Sequence, residues 1–365
     1  MQAVILAGGR GTRLYPLTMS STKPMLPLFS KPVMEHSIEL LRRHGVKDII
    51  VAVSSDAEEI AAHFGDGSAW GVSIRYSFED EPKGTAGAVK LVQPYIQGTF
   101  LVVSGDAVTD FDLSAAVDFH RRKSAIATML LHHADDPADF GIVQYAPDGR
   151  ITRFLEKPRS SEVFSSIINT GIYILEPEAL SSIPYYTTYD FARDLIPRML
   201  RNLEPVYGCR LPGYWCDVGN LIHYRNAHFD ALVGKAQLDI AGTEVEPGVW
   251  IGDDAEIHET AELAGPLFLG TRAELRKNAA LQPFAVVGEN SLVDEAAIVA
   301  RSIVGSRAFI GKGTRITDCV IGSGYRVQEQ RSIKNQIVME GQREDSTSPN
   351  SNAPCQTAGV SPIPA

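Results

Sequence analysis

Up to about residue 235, short runs of β-branched and aliphatic residues alternate with longer stretches of amphipathic, helical spacing. This is the pattern of parallel strands joined by crossover helices, and it predicts an α/β domain. The clearest strand runs are Ala3 to Ala7, Ile49 to Val53 and Phe100 to Ser104; helical spacing covers Val33 to His44, Thr85 to Gln93 and Leu113 to Arg122. Asp112 and Asp190 stand just before apolar helical stretches, where a short side-chain oxygen can accept from the free N–H groups of a first turn.

Beyond residue 245 the period changes to six. Ile251, Ile257, Leu263, Leu269, Leu275, Leu281, Val287, Val293 and Val299 hold one phase, followed by Val304, Ile310 and Ile316 and then Ile321, Val327 and Ile333, each run offset by one residue. Six residues make one short strand and a turn, so three such units close a triangular coil that stacks its aliphatic residue on the next coil. A phase kept through so many repeats disfavours an ordinary antiparallel β domain. Gly252, Gly270, Gly288, Gly305, Gly311 and Gly322 each follow a repeat residue, and the expected reason is a turn that needs freedom from steric limits. The predicted organisation is an α/β domain over 1–235, a linker over 236–247, the coil stack over 248–337 and, from its low apolar content, a disordered tail over 338–365.

The remaining composition narrows the partners. A net charge of -10 and a pI near 5.4 give no electrostatic footprint for nucleic acid or an anionic membrane, so any phosphate chemistry must use a local site. Cys209, Cys216, Cys319 and Cys355 lack metal-type spacing and are expected as free thiols of a reducing compartment. The first residues run straight into an apolar strand, and no uninterrupted run of about 18 apolar residues occurs, so the expected location is the cytoplasm.

The first strand run leads into Gly8-Gly9-Arg10-Gly11-Thr12-Arg13-Leu14, then Pro16-Leu17-Thr18 and Lys23-Pro24. Three glycines let the backbone N–H groups approach a polyphosphate, and Arg13 adds a planar two-pronged donor. The spacing fits neither a Walker A loop, which needs Gly-Lys followed by Ser or Thr, nor the dinucleotide fingerprint, which needs glycine where Leu14 stands. A structural turn has no reason to gather cations such as Arg13 and Lys23. Asp106 follows the strand run Phe100 to Ser104 through Gly105, at the carboxyl end of a strand where open α/β sheets bind ligands, although a turn or cap role is equally open from local sequence. His132 and His133 have no partner at metal spacing and are read as structural.

Leu6 to Leu14, Pro16 to Thr18 and Lys23-Pro24 together resemble the signature of sugar-1-phosphate nucleotidyltransferases. The likeness continues through Gly84-Thr85-Ala86-Gly87-Ala88, Ser104-Gly105-Asp106, Glu156-Lys157-Pro158, Asn169-Thr170-Gly171-Ile172-Tyr173 and Trp215-Cys216-Asp217-Val218-Gly219. It is nearest to bacterial mannose-1-phosphate guanylyltransferases. The resemblance implies a Rossmann-like domain with a mixed, mainly parallel sheet, followed by a left-handed parallel β-helix of hexapeptide repeats. It also implies transfer of a nucleotidyl group from a nucleoside triphosphate to a sugar 1-phosphate, with Mg²⁺ as cofactor.

Its residue roles carry over as follows. Arg13 and Lys23 are catalytic; Leu6, Ala7, Gly8, Gly9, Gly11, Thr12, Arg13, Gly84, Thr85 and Asp106 bind nucleotide; Gly141, Glu156, Lys157, Asn169 and Thr170 bind the sugar phosphate; Asp106 and Asp217 hold the metal. Pyrimidine-using relatives are expected to carry Gln in or just before the turn at Gly84 to Ala88, where Pro82, Lys83 and Gly87 stand here, so a purine and GTP are expected. Mannose 1-phosphate is the expected acceptor, with glucose 1-phosphate or a cyclitol phosphate, and UTP, dTTP or ATP, as alternatives. A non-catalytic regulatory subunit is a competing class, disfavoured because Arg13, Lys23, Asp106, Lys157 and Asp217 are all present. Acyl transfer on the β-helix is disfavoured because His258 is the one histidine of that region. The flat faces of stacked coils suit subunit contacts, so a homo-oligomer is expected.

Overall fold

The computed structural model describes residues 1–9, 11–19, 21–54 and 58–339, and the backbone of 361–362. The chain forms two units: one takes 1–10, 22–25 and 33–217, the other 11–21, 26–32 and 218 onward.

The first unit is built on a nine-stranded sheet of β1 (Gln2–Leu6), β2 (Asp48–Ser54), β3 (Ser73–Glu79), β4 (Phe100–Ser104), β5 (Ala127–His133), β6 (Gly141–Tyr145), β7 (Ile151–Glu156), β8 (Ile167–Leu175) and β9 (Val206–Arg210). Its main path runs β7-β6-β8-β4-β1-β2-β3, with β5 joining β8 and β9. The run β4-β1-β2-β3 is parallel, whereas β8 pairs antiparallel with β4, β5 and β6. The inner parallel strands β4, β1 and β2 are apolar at their centres because helices, α1 (Val33–Arg43), α2 (Glu58–Phe64) and α3 (Gly84–Val92) among them, cover both faces: Val4 and Ile50 pack with Ala86 and Val89 of α3, whereas Ile5 and Val51 pack with Met34 and Ile38 of α1. The predicted strand and helix runs in this unit match the observed elements to within a residue or so at each end. Asp112 caps the helix Leu113–Arg122 through Ala115 N–H at 3.0 Å, and Asp190 caps the turn beginning at Phe191 through the N–H groups of Ala192 and Arg193.

In the second unit the six-residue phase closes a parallel β-helix. Ile251 pairs in register with Leu269, Leu269 with Val287, Val287 with Val304, Val304 with Ile321 and Ile321 with Val338; the two other faces repeat this through Ile257 and Leu263. The stacked side chains from Leu267 onward form the core of the coil, while Ile257 of the first coil stays 37% exposed. Part of the stretch expected as a linker is the strand Thr243–Glu246, which runs antiparallel to Val249–Ile251. The tail expected to be disordered lies outside the described residues, apart from Val338, Met339 and the backbone of 361–362. The helix Leu221–Leu232 also belongs to this unit: its His228 meets Phe29 edge-on at 4.9 Å, Phe29 meets Phe268 at 5.3 Å, and Phe229 lies 4.9 Å from Phe284.

The repeat glycines require a corrected explanation. Gly270 and Gly288 do not occupy left-handed backbone; a Cβ on Gly270 would stand 2.6 Å from Glu289 N, and one on Gly288 would stand 2.6 Å from Ser306 N. Each is therefore needed for the close approach of the next coil. The left-handed positions fall two residues further on, at Asp254, Arg272, Asn290 and Arg307, with φ of 55°, 53°, 55° and 57°. Gly288→Ala should lower stability by about 1–3 kcal/mol, as overpacking does, and reduce the unfolding temperature; an unchanged denaturation midpoint would count against this account.

Candidate active site

Three charged groups meet at the carboxyl end of the parallel strands. β4 ends at Ser104, and Gly105 turns the chain back so that its N–H donates to Leu6 O at 2.9 Å. A Cβ at Gly105 would stand 3.3 Å from that same oxygen, so the backbone would have to give by a few tenths of an ångström to admit a side chain. Asp106 follows and accepts from the Ser104 hydroxyl. The next residues, Ala107–Thr109, pair antiparallel with Trp215–Asp217, and the register sets Asp217 opposite Ala107. Two acidic residues more than a hundred positions apart are thus placed side by side by one short ribbon.

Lys23 neutralises them. Its Nζ lies 2.5 Å from Asp106 Oδ2 and 2.9 Å from Asp217 Oδ1, and the residue is only 7% exposed. Burial works against the ammonium, but Asp106 and Asp217 outweigh it and hold the Lys23 pKa above its ordinary value. The carboxylates are hard oxygen donors that converge on one point. Such a pair suits a small divalent cation that takes its remaining ligands from phosphate and water. Among the described residues no group of three or more His, Cys, Asp or Glu side chains converges as a metal cage.

The glycine loop starts beside this cluster. Ala7 N–H still bonds to Ala52 O at 2.8 Å, after which Gly8 and Gly9 leave the sheet exposed. Arg10 lies outside the described residues. Gly11 is left-handed, with φ of 59°, and opens the 3-10 turn Thr12–Leu14, in which Thr12 and Arg13 are exposed and Leu14 is buried; these residues belong to the second unit.

Glu156 ends β7 opposite Gly141, and a Cβ on Gly141 would stand 2.6 Å from Glu156 Oε2, so the glycine makes room for the carboxylate. Lys157 follows in left-handed backbone, φ 47°, with its side chain exposed. A non-glycine residue held there costs on the order of 1–3 kcal/mol, strain that tends to collect at functional sites. In β8 the ladder to β5 is irregular between Asn169 and Tyr173. Asn169 Nδ2 donates to the Tyr173 hydroxyl at 2.6 Å, and the Thr170 hydroxyl donates to Leu130 O at 2.8 Å, so Thr170 already serves the backbone of the sheet.

The turn at Gly84 to Ala88 is the first turn of α3. Its Ala86 and Gly87 N–H groups both donate to Tyr189 O, at 3.0 and 2.8 Å. The glycines allow that segment to approach: a Cβ on Gly84 would stand 2.7 Å from Tyr189 O and one on Gly87 2.8 Å from Thr187 O. Thr85 Oγ1 donates to Asp190 Oδ2 at 2.8 Å. Asp190, read from the sequence only as a cap, is therefore tied to α3 as well, and its charge acts on Glu156. Phe191 beside it stacks on Tyr173 at 4.6 Å. No local sequence signal distinguishes this linking role from an ordinary cap. His132 lies among Phe111 and Trp215, in keeping with a structural role. Cys209, Cys216 and Cys319 are free thiols, and Cys355 lies outside the described residues. Among the described residues no helix is long and apolar enough to cross a membrane.

Comparison with known proteins defines the class. The nucleotidyl transferase family model matches residues 2–233, and the model described as the GMPPB C-terminal domain matches residues 245–350. The chain belongs to the nucleotidyl transferase family. It is 36% identical over 345 residues to a UTP--glucose-1-phosphate uridylyltransferase of Synechocystis, covering 90% of this chain and 89% of that one. It is 33% identical over 294 residues to a mannose-1-phosphate guanylyltransferase of Mycobacterium tuberculosis, covering 75% and 81%. A mannose-1-phosphate guanyltransferase of Debaryomyces hansenii is 32% identical over 352 residues, covering 93% and 94%. Among solved structures, a Bacillus anthracis protein described as a glucose-1-phosphate thymidylyltransferase superposes with a TM-score of 0.58 at 26% identity, over 62% of this chain and 94% of that one. Sugar-1-phosphate nucleotidyltransferase chemistry is common to these relatives.

Glu156 provides a test of how the site is balanced. Burial, followed by the charge of Asp190, raises its pKa above the usual carboxylate value, with Lys157 and Arg193 partly offsetting the rise. A folded-state pKa above the unfolded one means that the folded state binds the proton more tightly, so the group's contribution is fully present below the unfolded pKa and is lost as pH rises through the folded pKa. Glu156→Gln should therefore unfold at a higher temperature than the parent at pH 7 and at nearly the same temperature below the unfolded carboxylate range. A variant less stable than the parent at pH 7 would show that the carboxylate contributes net stabilising contacts.

Proposed function

We propose that this protein transfers a guanylyl group from GTP to mannose 1-phosphate, forming GDP-mannose and releasing pyrophosphate. The observation that carries the reaction type is the Lys23–Asp106–Asp217 cluster at the carboxyl end of the sheet, where the glycine loop begins. The choice of GTP and mannose is supported by the match to the GMPPB C-terminal domain, by the guanylyltransferase relatives and by the absence of Gln from the turn at Gly84 to Ala88. A second reading, UTP with glucose 1-phosphate, is favoured by the 36% identity to the Synechocystis uridylyltransferase.

In the proposed reaction a sugar-phosphate oxygen attacks the α-phosphorus in line, and the bond from that phosphorus to the departing pyrophosphate breaks. The attacking oxygen is already ionised at neutral pH, so no general base is required. The demand is for positioning and for neutralising two anions that must meet. Lys23 is assigned to the charge developing on the α-phosphate. Lys157, at the strained end of β7, is assigned to the incoming sugar phosphate, and Glu156 and Asn169 to sugar hydroxyls, with Thr170 and the Gly141 backbone as neighbours. Leu6, Ala7, Gly8, Gly9, Gly11 and Thr12 supply the backbone cradle, and Arg13 is assigned to the β- and γ-phosphates on the strength of the sequence motif. Gly84 and Thr85 begin the helix that borders the nucleotide.

Mg²⁺ is the proposed cofactor, held by Asp106 and Asp217; when bound it would screen repulsion among the phosphates. The Lys23 ammonium lies against the same two carboxylates. We further propose a cytoplasmic homo-oligomer that uses the faces of the β-helix.

Pyrophosphate release measured across five nucleoside triphosphates and several sugar 1-phosphates with Mg²⁺ tests this reading. The greatest kcat/KM is expected for GTP with mannose 1-phosphate, and chelation of divalent metal should abolish turnover. The uridylyl reading wins if UTP with glucose 1-phosphate is the best pair, and inactivity with every pair overturns both. Lys23→Ala should lower turnover by at least about a hundredfold while retaining the parent's circular dichroism; near-normal turnover would remove Lys23 from the chemistry.

A further inference from the structure

The three faces of the coil stack differ in what they turn outward. Side chains alternate along each short strand, so the residue before each core position points away from the core. On the face that carries Val249–Ile251 the outward ladder runs through Phe268, Val286, Ile303 and Val320, each at most 4% exposed, so this face is buried within the chain. On the face that carries Glu256–Ile257 the outward ladder is Glu256, Glu274, Leu292, Phe309 and Arg326, one residue per coil. Glu256 and Arg326 are exposed, and Glu274, Leu292 and Phe309 between them are half-buried. The Arg326 guanidinium lies over the Phe309 ring, 4.2 Å from its centroid.

Successive coils stand about 4.8 Å apart, so the ladder is roughly 19 Å long, with carboxylates at one end, a guanidinium at the other and apolar side chains between. Such a ladder is complementary to its own reverse. Turning a second copy end for end about Leu292 sets Arg326 of each copy against Glu256 of the other, Phe309 against Glu274, and the two Leu292 side chains against each other. This is the property of a two-fold contact, in which one patch serves both sides. Laying the second copy the same way round sets carboxylate on carboxylate and guanidinium on guanidinium, which opposes association. Beside Glu256 the surface opens into a groove where Glu256, Glu274, Asp294 and Glu295 outnumber the permanent cations Arg276 and Lys277. Arg276 is already engaged, by Glu274 at 2.9 Å and Asp294 at 3.7 Å. The groove thus keeps surplus negative charge where the reversed copy brings its arginine, and the exposed Ile257 in it offers the accompanying ring an apolar contact.

We propose that the face from Glu256 to Arg326 is a self-complementary interface on which two copies of this chain pack their coil stacks antiparallel about Leu292. This rests on the reading of the protein as a homo-oligomer joined through its β-helix, and it names the face, the partner and the direction. The third face repeats the gradient in weaker form, as Glu262, Ala280, Ile298, Arg315 and Ser332. It has Ala280 and Ile298 where the proposed face has Leu292 and Phe309, and no charge at its last coil.

Sedimentation and light scattering of the full-length protein test this, once circular dichroism and unfolding temperatures show that each variant is folded. The parent should have at least twice the 39.7 kDa mass of the chain. Arg326→Glu and Glu256→Arg, each alone, set like charges together on both sides of the two-fold axis and should raise the dissociation constant of the contact at least about tenfold. The double variant Arg326→Glu/Glu256→Arg restores the pairing and should associate as the parent does, a rescue that mere damage to the coil would not give. Arg315→Glu, on the third face, should leave association unchanged. Association untouched by either single swap, or broken by Arg315→Glu instead, would overturn the proposed face and leave a homo-oligomer standing. Single swaps that weaken association without recovery in the double variant would overturn the antiparallel direction. A monomeric parent at concentrations well above those of the assay would sink this proposal together with the homo-oligomer.

Discussion

Asp106 and Asp217 carry like charge, and their nearness depends on a third group to offset it. The Lys23 ammonium, drawn almost wholly out of water, bonds to both. The arrangement holds because each partner needs the other: the lysine would lose its proton readily in an apolar site, and the carboxylates would resist sharing one mouth of the sheet. The fold around it can be read as the means of delivering these three groups. β4 brings Asp106, a short ribbon brings Asp217 to it, and a turn at Lys23–Met25 brings the ammonium.

The same strategy of close backbone approach recurs at every turn that shapes the site. Gly105 lets the Asp106 loop fold back on β1, Gly141 makes room for the Glu156 carboxylate, and Gly84 and Gly87 admit the Tyr189 segment against α3. In each case what matters is the volume of the missing side chain. Glycine gives these segments room to approach at fixed points while neighbouring strands hold the geometry.

Much of this was legible in the chain because it is periodic or local. The six-residue phase from Ile251 identified the coil stack, and even the one-residue offsets near Val304 and Ile321 are real shortenings of the coil from eighteen to seventeen residues. Caps at Asp112 and Asp190 were readable because a cap is made by a residue within its own turn. What stayed hidden is set by tertiary approach. The second bond of Asp190, to Thr85, joins positions 105 residues apart. The repeat glycines were found but their reason was misread, because a single strand-and-turn unit does not reveal how near the next coil lies. The proposed base and acceptor rest on side chains at loop ends, where one hydrogen bond decides and no periodicity helps.

The shortening of the coil carries a consequence for how such a chain can change length. Val299 to Val304, Ile316 to Ile321 and Ile333 to Val338 each span five residues, whereas the intervals on the other two sides of the triangle keep six. All the lost length is taken up at one corner, marked by the left-handed residues Arg301, Asp318 and Asn335. The straight faces are templated by the coil beneath and admit no slippage, so a gained or lost residue is absorbed only where the chain bends. Once a coil adopts the shorter corner, its successors can stack on it without penalty by making the same economy, and a local deletion becomes a new unit length for the rest of the column.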